Sequence, residues 1–210
     1  MSTPVPDPLV LVEGAYRQHY ETAPARASIS FVGVESIEIL RYEEAGYPEP
    51  PGQGRLAGHG PESVATSYLT LGMSRHPMAE PSATMVDASA APRGELLLSV
   101  LGRPDDVWHR LAVLAAAPVV ESAVYRVGMR VELGEPWCAG SRCAGAVVVP
   151  GPLADIPVPG ISAVTVFRLL PAAPVELAWA RVHGSESLLA QWRSAGTELR
   201  DLYRDPAVLR

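Results

Sequence analysis

Apolar positions along the chain recur with two periods, and each change of period marks an element. Leu9, Val12, Ala15, Tyr16, His19 and Tyr20 share one face at helical spacing, behind Asp7 as a cap and Pro8 at the first helical position. Residues 29–42 switch to alternation, with Ile29 and Phe31 in one pair and Ile37 and Ile39 in another. Val32 and Val34 take the opposite parity between them, so a bulge or two short strands is expected. Residues 64–71 read as a strand with Leu69 and Leu71 opposite in parity to Tyr68 and Thr70. Residues 95–101 (ELLLSVL) are apolar at successive positions, the pattern of a strand buried on both faces.

Pro104, Asp105 and Asp106 open a second helix, the acids standing at the positive end of its dipole. Val107, Trp108, Leu111, Leu114 and Ala115 form its apolar side, and Pro118 is expected to stop it. Residues 129–133 and 144–149 read as strands around a loop at 137–143, and 164–170 as another strand. Pro174 and Glu176 open a helix that Gly184 closes. Ser185 is placed to cap the next, which carries Leu188, Leu189 and Trp192 and ends near Gly196. Leu199, Leu202 and Tyr203 form a last turn or short helix. No internal repeat is evident, and strands and helices mix without strict βαβα order. The expectation is an α+β fold: a single domain over 1–210 with a mixed β-sheet flanked by helices.

The chain holds 21 Pro and 18 Gly, many of them in the breaks between elements. They cluster into two long loops, 46–61 and 74–92, and a third at 150–160. Long loops in a compact domain are often functional. The chain is 48% hydrophobic and only 6% aromatic, so Ala, Val and Leu fill the core and backbones pack closely.

Seventeen basic against 23 acidic residues leave a formal charge of −6. A nucleic-acid surface needs a basic stripe, and attachment to anionic lipid needs a basic patch, so neither nucleic acid nor membrane is an expected partner. The first eight residues carry no basic residue and no long apolar core, unlike a signal peptide. A cytoplasmic location is therefore expected, with Cys138 and Cys143 as reduced thiols. Only export would change that, because their spacing permits a local bridge.

The residues that carry chemistry do not assemble by spacing. His19, His59, His76, His109 and His183 form no H-x-H or H-E-x-x-H, and the single C-x4-C has no second pair, so no metal site is expected. Gly52-Gln53-Gly54 is flanked by prolines and is no phosphate cradle, and no cofactor is expected. Gly72-Met73-Ser74-Arg75-His76 follows a strand, as a nucleophile elbow does, but His76 stands where the second glycine belongs and Pro77 follows. No catalytic residue is assigned. The alternative is a hydrolase using Ser74 or Cys138 with a loop histidine.

An ordered series of segments resembles bacterial members of the suppressor-of-fused family, best over 64–205. Tyr68-Leu69-Thr70-Leu71-Gly72-Met73-Ser74 is similar to its strand followed by glycine, an apolar residue and serine. Arg93-Gly94-Glu95-Leu96 resembles its Glu-Leu strand, and Trp108 with Leu111 and Leu114 its tryptophan-bearing helix. Residues 164–171, Glu176-Leu177, Gly184 and Leu188-Leu189 resemble its closing strand and last helices. Asp201-Leu202-Tyr203-Arg204-Asp205 resembles its terminal Asp/Arg segment.

The resemblance implies an α+β fold and a non-catalytic protein-binding module. For bacterial members it also implies an immunity protein, with a toxin as the protein partner. The contact surface is expected on the 74–92 loop at Arg75, His76 and Met78, with Trp137, because Arg, Met and Trp favour interface centres. The competing reading is that Met78 and Trp137 cover the edge of the core. A mean hydropathy of +0.12 leaves room for a homo-oligomer.

Overall fold

The computed structural model describes residues 7–44, 64–80, 87 and 89–210. The expected loop 46–61 lies outside them, as do 81–86 and 88 of the second loop. The described elements run in the order α1 (Pro8–Tyr20), β1 (Ala25–Phe31), β2 (Val34–Glu44), β3 (Ala65–Leu71), β4 (Arg93–Leu101), α2 (Val107–Val120), β5 (Arg130–Glu132), β6 (Gly145–Pro150), β7 (Val164–Ala172), α3 (Pro174–His183) and α4 (Ser185–Ser194). The strands form one sheet in the order β1-β2-β3-β4-β7-β6-β5. All neighbours are antiparallel except β4 and β7, which run parallel and join an N-terminal meander to a C-terminal one. The α+β fold with a mixed sheet is as expected.

Alternation along the central strands supplies apolar side chains to both faces. Ile37 and Ile39 of β2, Leu96, Leu98 and Val100 of β4, and Phe167 and Leu169 of β7 pack under α2. Leu40, Leu69, Leu97, Val164 and Val166 pack on the other face under Leu9, Val12 and Tyr16 of α1. Further along that second cluster's side of β6 and β7, Val147 and Ala172 lie under Leu177, Ala180, Leu188 and Trp192 of α3 and α4. The sheet is covered on both faces, which is why β4 reads as a continuous apolar run rather than an alternating one.

The two parities in 29–42 belong to two strands. Gly33, at φ +78°, turns the chain between them, and Phe31 pairs with Val34 across the hairpin. The irregular register between Ile29 and Phe31 accounts for the shifted phase.

Two end-of-helix expectations, at Pro118 and Ser185, are corrected. Pro118 does not stop α2, which continues to Val120. A proline there costs the N–H that would bond Leu114's carbonyl, and the Tyr125 hydroxyl donates to that oxygen instead, at 2.7 Å. Asp106 precedes α2 in a left-handed conformation (φ +68°) and makes no side-chain cap bond. Ser185 is the first residue of α4, not its cap; Gly184 occupies the cap position, and the serine hydroxyl donates to Gly128's carbonyl at 2.7 Å. Residues 199–203 form turns rather than a helix. Among the described residues, no helix is long and apolar enough to cross a membrane.

Candidate functional site

The strand β3 ends in a turn held by two charged side chains of β4. At Gly72 the backbone takes φ +139°, and a Cβ there would lie 3.2 Å from both Ile37 Cα and Ser36 O. Only glycine turns the chain so close to β2. Met73–Arg75 then forms a single 3-10 turn. Its N–H groups face Glu95, which is fully buried. Glu95 Oε1 accepts from Gly72 N at 2.9 Å, Ser74 N at 3.0 Å and Ser74 Oγ at 2.7 Å, while Oε2 accepts from Thr70 Oγ1 at 2.5 Å. Arg93 supplies the opposite charge, donating from Nη1 to the carbonyls of Ser74 at 2.9 Å and Arg75 at 2.5 Å. One carboxylate takes the turn's donors and one guanidinium its acceptors, so the turn is bound to the sheet rather than to solvent.

This geometry decides the role of Ser74. Its hydroxyl is wholly buried and donates to Glu95, and among the described residues it makes no hydrogen bond to a histidine. A serine nucleophile instead needs its oxygen facing substrate and a base to take its proton. His19, His109 and His183 are exposed on α1, α2 and α3, and His59 lies outside the described residues. Cys138 and Cys143 are free and buried. Burial pushes the Cys143 thiol up to about 12 and also raises that of Cys138, the reverse of an activated thiol. Among the described residues, no group of three His, Cys, Asp or Glu is placed to hold a metal ion.

The clamped turn presents Arg75 and His76 at the mouth of an open cleft of about 390 Å³, shared with Asp7, Pro8, Glu35, Arg93 and Ile161. Arg75 is fastened in place: Nη1 donates to Ser36 O at 2.7 Å and Nε pairs with Glu35 at 3.2 Å. The other two expected contact residues lie elsewhere. Met78 is only 1% exposed, its sulfur accepting from Tyr125 N at 3.4 Å. Trp137 is wholly buried, and its indole N–H donates to Gly145 O at 2.9 Å. Both belong to the core under α2 and present no surface. Arg75 and His76 are brought together with each other but not with these two.

A family model described as Suppressor of fused protein (SUFU) matches residues 34–205. The chain belongs to the suppressor of fused family. That match contains the whole Gly72–His76 turn, its Glu95 and Arg93 anchors, and the C-terminal turns through Asp205. Among solved structures, a suppressor of fused homologue from Neisseria gonorrhoeae is similar over 97% of this chain and 98% of its own, at 15% identity and a TM-score of 0.65. A crystal structure of the Sufu–Fu complex is similar over 97% of this chain and 93% of that one, at 14% identity and a TM-score of 0.69. The Drosophila suppressor of fused structure is similar over 98% of this chain but only 52% of its own, at 15% identity and a TM-score of 0.66. No curated protein sequence matches. At these identities the structures share the family's fold.

Sequence reasoning missed the anchoring role of Glu95 and Arg93, and the contribution of Asp7 and Glu35 to the cleft. A usable signal was present: a glutamate opening the apolar run ELLLSVL must be buried, and a buried carboxylate requires several donors close by.

Proposed function

We propose that this chain is a non-catalytic protein-binding module whose contact surface centres on Arg75 and His76. The observation that carries the reading is the Glu95–Arg93 clamp. It commits the one serine that had nucleophile context to holding a turn, and that turn carries Arg75 and His76 at the mouth of a cleft. A rigid base of this kind lowers the entropy lost when those side chains are ordered by a partner. The family's fold is also found in a crystallised assembly, the Sufu–Fu complex, which supports a role in protein association. Met78 and Trp137 drop out of the surface because they are buried.

The finer reading is an immunity protein, with a toxin as partner. The charges around the cleft (Arg75, Arg93, His76, Asp7 and Glu35) suit a polar interface rather than a greasy one. The test is co-expression with the product of any toxin gene adjacent in the host genome. Growth should be restored and the two proteins should co-purify, and His76→Glu should weaken co-purification at least tenfold without lowering stability. If the wild-type chain and the toxin neither co-purify nor restore growth, the toxin reading fails. If His76→Glu leaves binding unchanged, the placement of the surface fails.

A further inference from the structure

A second cleft, of about 280 Å³, opens at the other end of β2, between the sheet and the start of α2. Arg41 at this cleft is six residues from Glu35 at the first, about 20 Å along an extended strand. The two sites are therefore separate, and nothing here rests on the protein-binding reading. In the sheet register, Arg41 stands opposite Ala25 of β1 and Tyr68 of β3, so the three side chains share the α2 face. Ala25 and Ala27 leave room on one side of Arg41, and Trp108 of α2 closes the cleft above.

The charges lining the cleft are unequally used. Arg26 is paired with Glu13 and Glu38, and Arg103 with Glu43. The Arg41 side chain makes no hydrogen bond or ion pair among the described residues, and its Nε is buried without a partner. Tyr68 is 3% exposed and lines the same cleft. Burial raises the tyrosine's pKa while Arg41 and Arg103 pull the other way, so the hydroxyl stays protonated at neutral pH and can donate. Leaving a buried donor unmade is costly, and an acceptor entering the cleft would recover that cost.

We propose that this cleft recognises a carboxylate, gripped by the planar fork of Arg41 and the Tyr68 hydroxyl, with its flat or apolar stem lying against Trp108. The fork matches two oxygens in one plane. Asp105 on the rim disfavours a dianion such as phosphate, and the volume suits one small acid or one side chain. The carboxylate has two sources, a free small acid or an acidic side chain of a protein.

Both sources are tested on the full ¹⁵N-labelled chain by following the Arg41 Nε–H and Trp108 indole N–H resonances. The Arg41 signal is identified by its loss in Arg41→Lys. The probes are benzoate for the free acid, acetyl-Gly-Glu-Gly-amide for the side chain, and benzamide as the neutral control. Saturable shifts at both resonances are expected with benzoate, the peptide or both, and none with benzamide. Whichever probe binds names the source. Arg41→Gln should weaken binding at least tenfold and Tyr68→Phe several-fold, while Arg181→Gln, on α3 at the opposite face of the sheet, should leave it unchanged. Arg41→Lys keeps the charge but loses the fork and should also bind at least tenfold more weakly, so the test survives if the glutamine variant fails to fold. The proposal is overturned if neither acid gives a saturable shift, or if Arg41→Lys binds as tightly as the wild type.

Discussion

Arg204 grips Glu176 through both carboxylate oxygens, Nη1 to Oε1 and Nη2 to Oε2, each at 2.8 Å. The glutamate is wholly buried at the start of α3, and the arginine lies in the C-terminal segment, 28 residues later. Oε1 also accepts from Trp192 Nε1 at 2.8 Å and Ala207 N at 2.9 Å, and Oε2 from Ala173 N at 2.8 Å. One carboxylate thus ties together the β7–α3 link, α3, α4 and the C-terminal segment. Breaking a buried pair from one side leaves an uncompensated charge and costs about 3–5 kcal/mol, whereas replacing both partners with apolar groups costs far less. Urea unfolding should show Arg204→Met and Glu176→Leu each losing about that much, and the double variant losing less than either. Equal losses in all three would show that the pair is not the source of the effect.

The same pair sets a pH dependence. Burial raises the Glu176 pKa, but Arg204 and the N–H groups of Ala207 and Ala173 outweigh it, and the folded value falls below the ordinary 4.5. A depressed carboxylate stabilises the fold above its unfolded pKa, and that contribution is lost as pH falls through the folded value. The stability difference between wild type and Glu176→Gln should be constant near neutrality and shrink below pH 4.5. Unfolding curves at pH 7, 5 and 3 check it.

Ser74 should behave as a structural residue. Replacing it with alanine removes one hydrogen bond to a charged acceptor, a loss of about 1.5–3 kcal/mol. Glu95→Ala should cost more, because it orphans the N–H groups of Gly72 and Ser74 together. A fluorophosphonate probe should leave Ser74 unlabelled in the native protein. Rapid labelling there would contradict the buried geometry.

Two glycine-to-alanine changes should move stability in opposite directions. A Cβ on Gly145 would meet Val131 O at 2.2 Å and Leu177 Cδ1 at 2.6 Å, where β6 passes β5 beneath α3. Such overpacking costs about 1–3 kcal/mol or more. A Cβ on Gly14, exposed within α1, would meet nothing within 4 Å. Removing glycine's backbone freedom there should gain about 0.5–1 kcal/mol. Thermal melts of the two variants are sufficient to check the signs.

Cys138 and Cys143 should react slowly with iodoacetamide in the folded protein and quickly once it is unfolded, since burial disfavours both thiolates. Timed alkylation with and without urea reads this directly. Equal rates in the two states would mean that the cysteines are accessible in the fold.

Much of the fold was legible because it depends on local period. Asp7-Pro8 starting α1, the apolar run of β4 and the proline-opened α3 all followed from neighbours in sequence. The errors came where a distant residue supplied what the local chain lacked. Pro118 reads as a stop until Tyr125 provides the donor that Leu114's carbonyl has lost. Ser185 reads as a cap until Gly128 takes its hydroxyl. Met78 and Trp137 look like contact residues until the sheet and α2 close over them.

By itself the sequence determined the element types, the α+β class and the family pattern, since spacing of apolar residues and turn chemistry act over a few positions. Only the tertiary structure decided that Ser74 belongs to Glu95, that Glu176 belongs to Arg204, and that Arg41 faces an open cleft. A buried charge is defined by the groups that surround it, and for Glu95 and Glu176 these include Ser74 and Arg204, 21 and 28 residues away. Sequence shows that such a charge must be satisfied; three-dimensional packing selects its partner, or leaves it waiting for one.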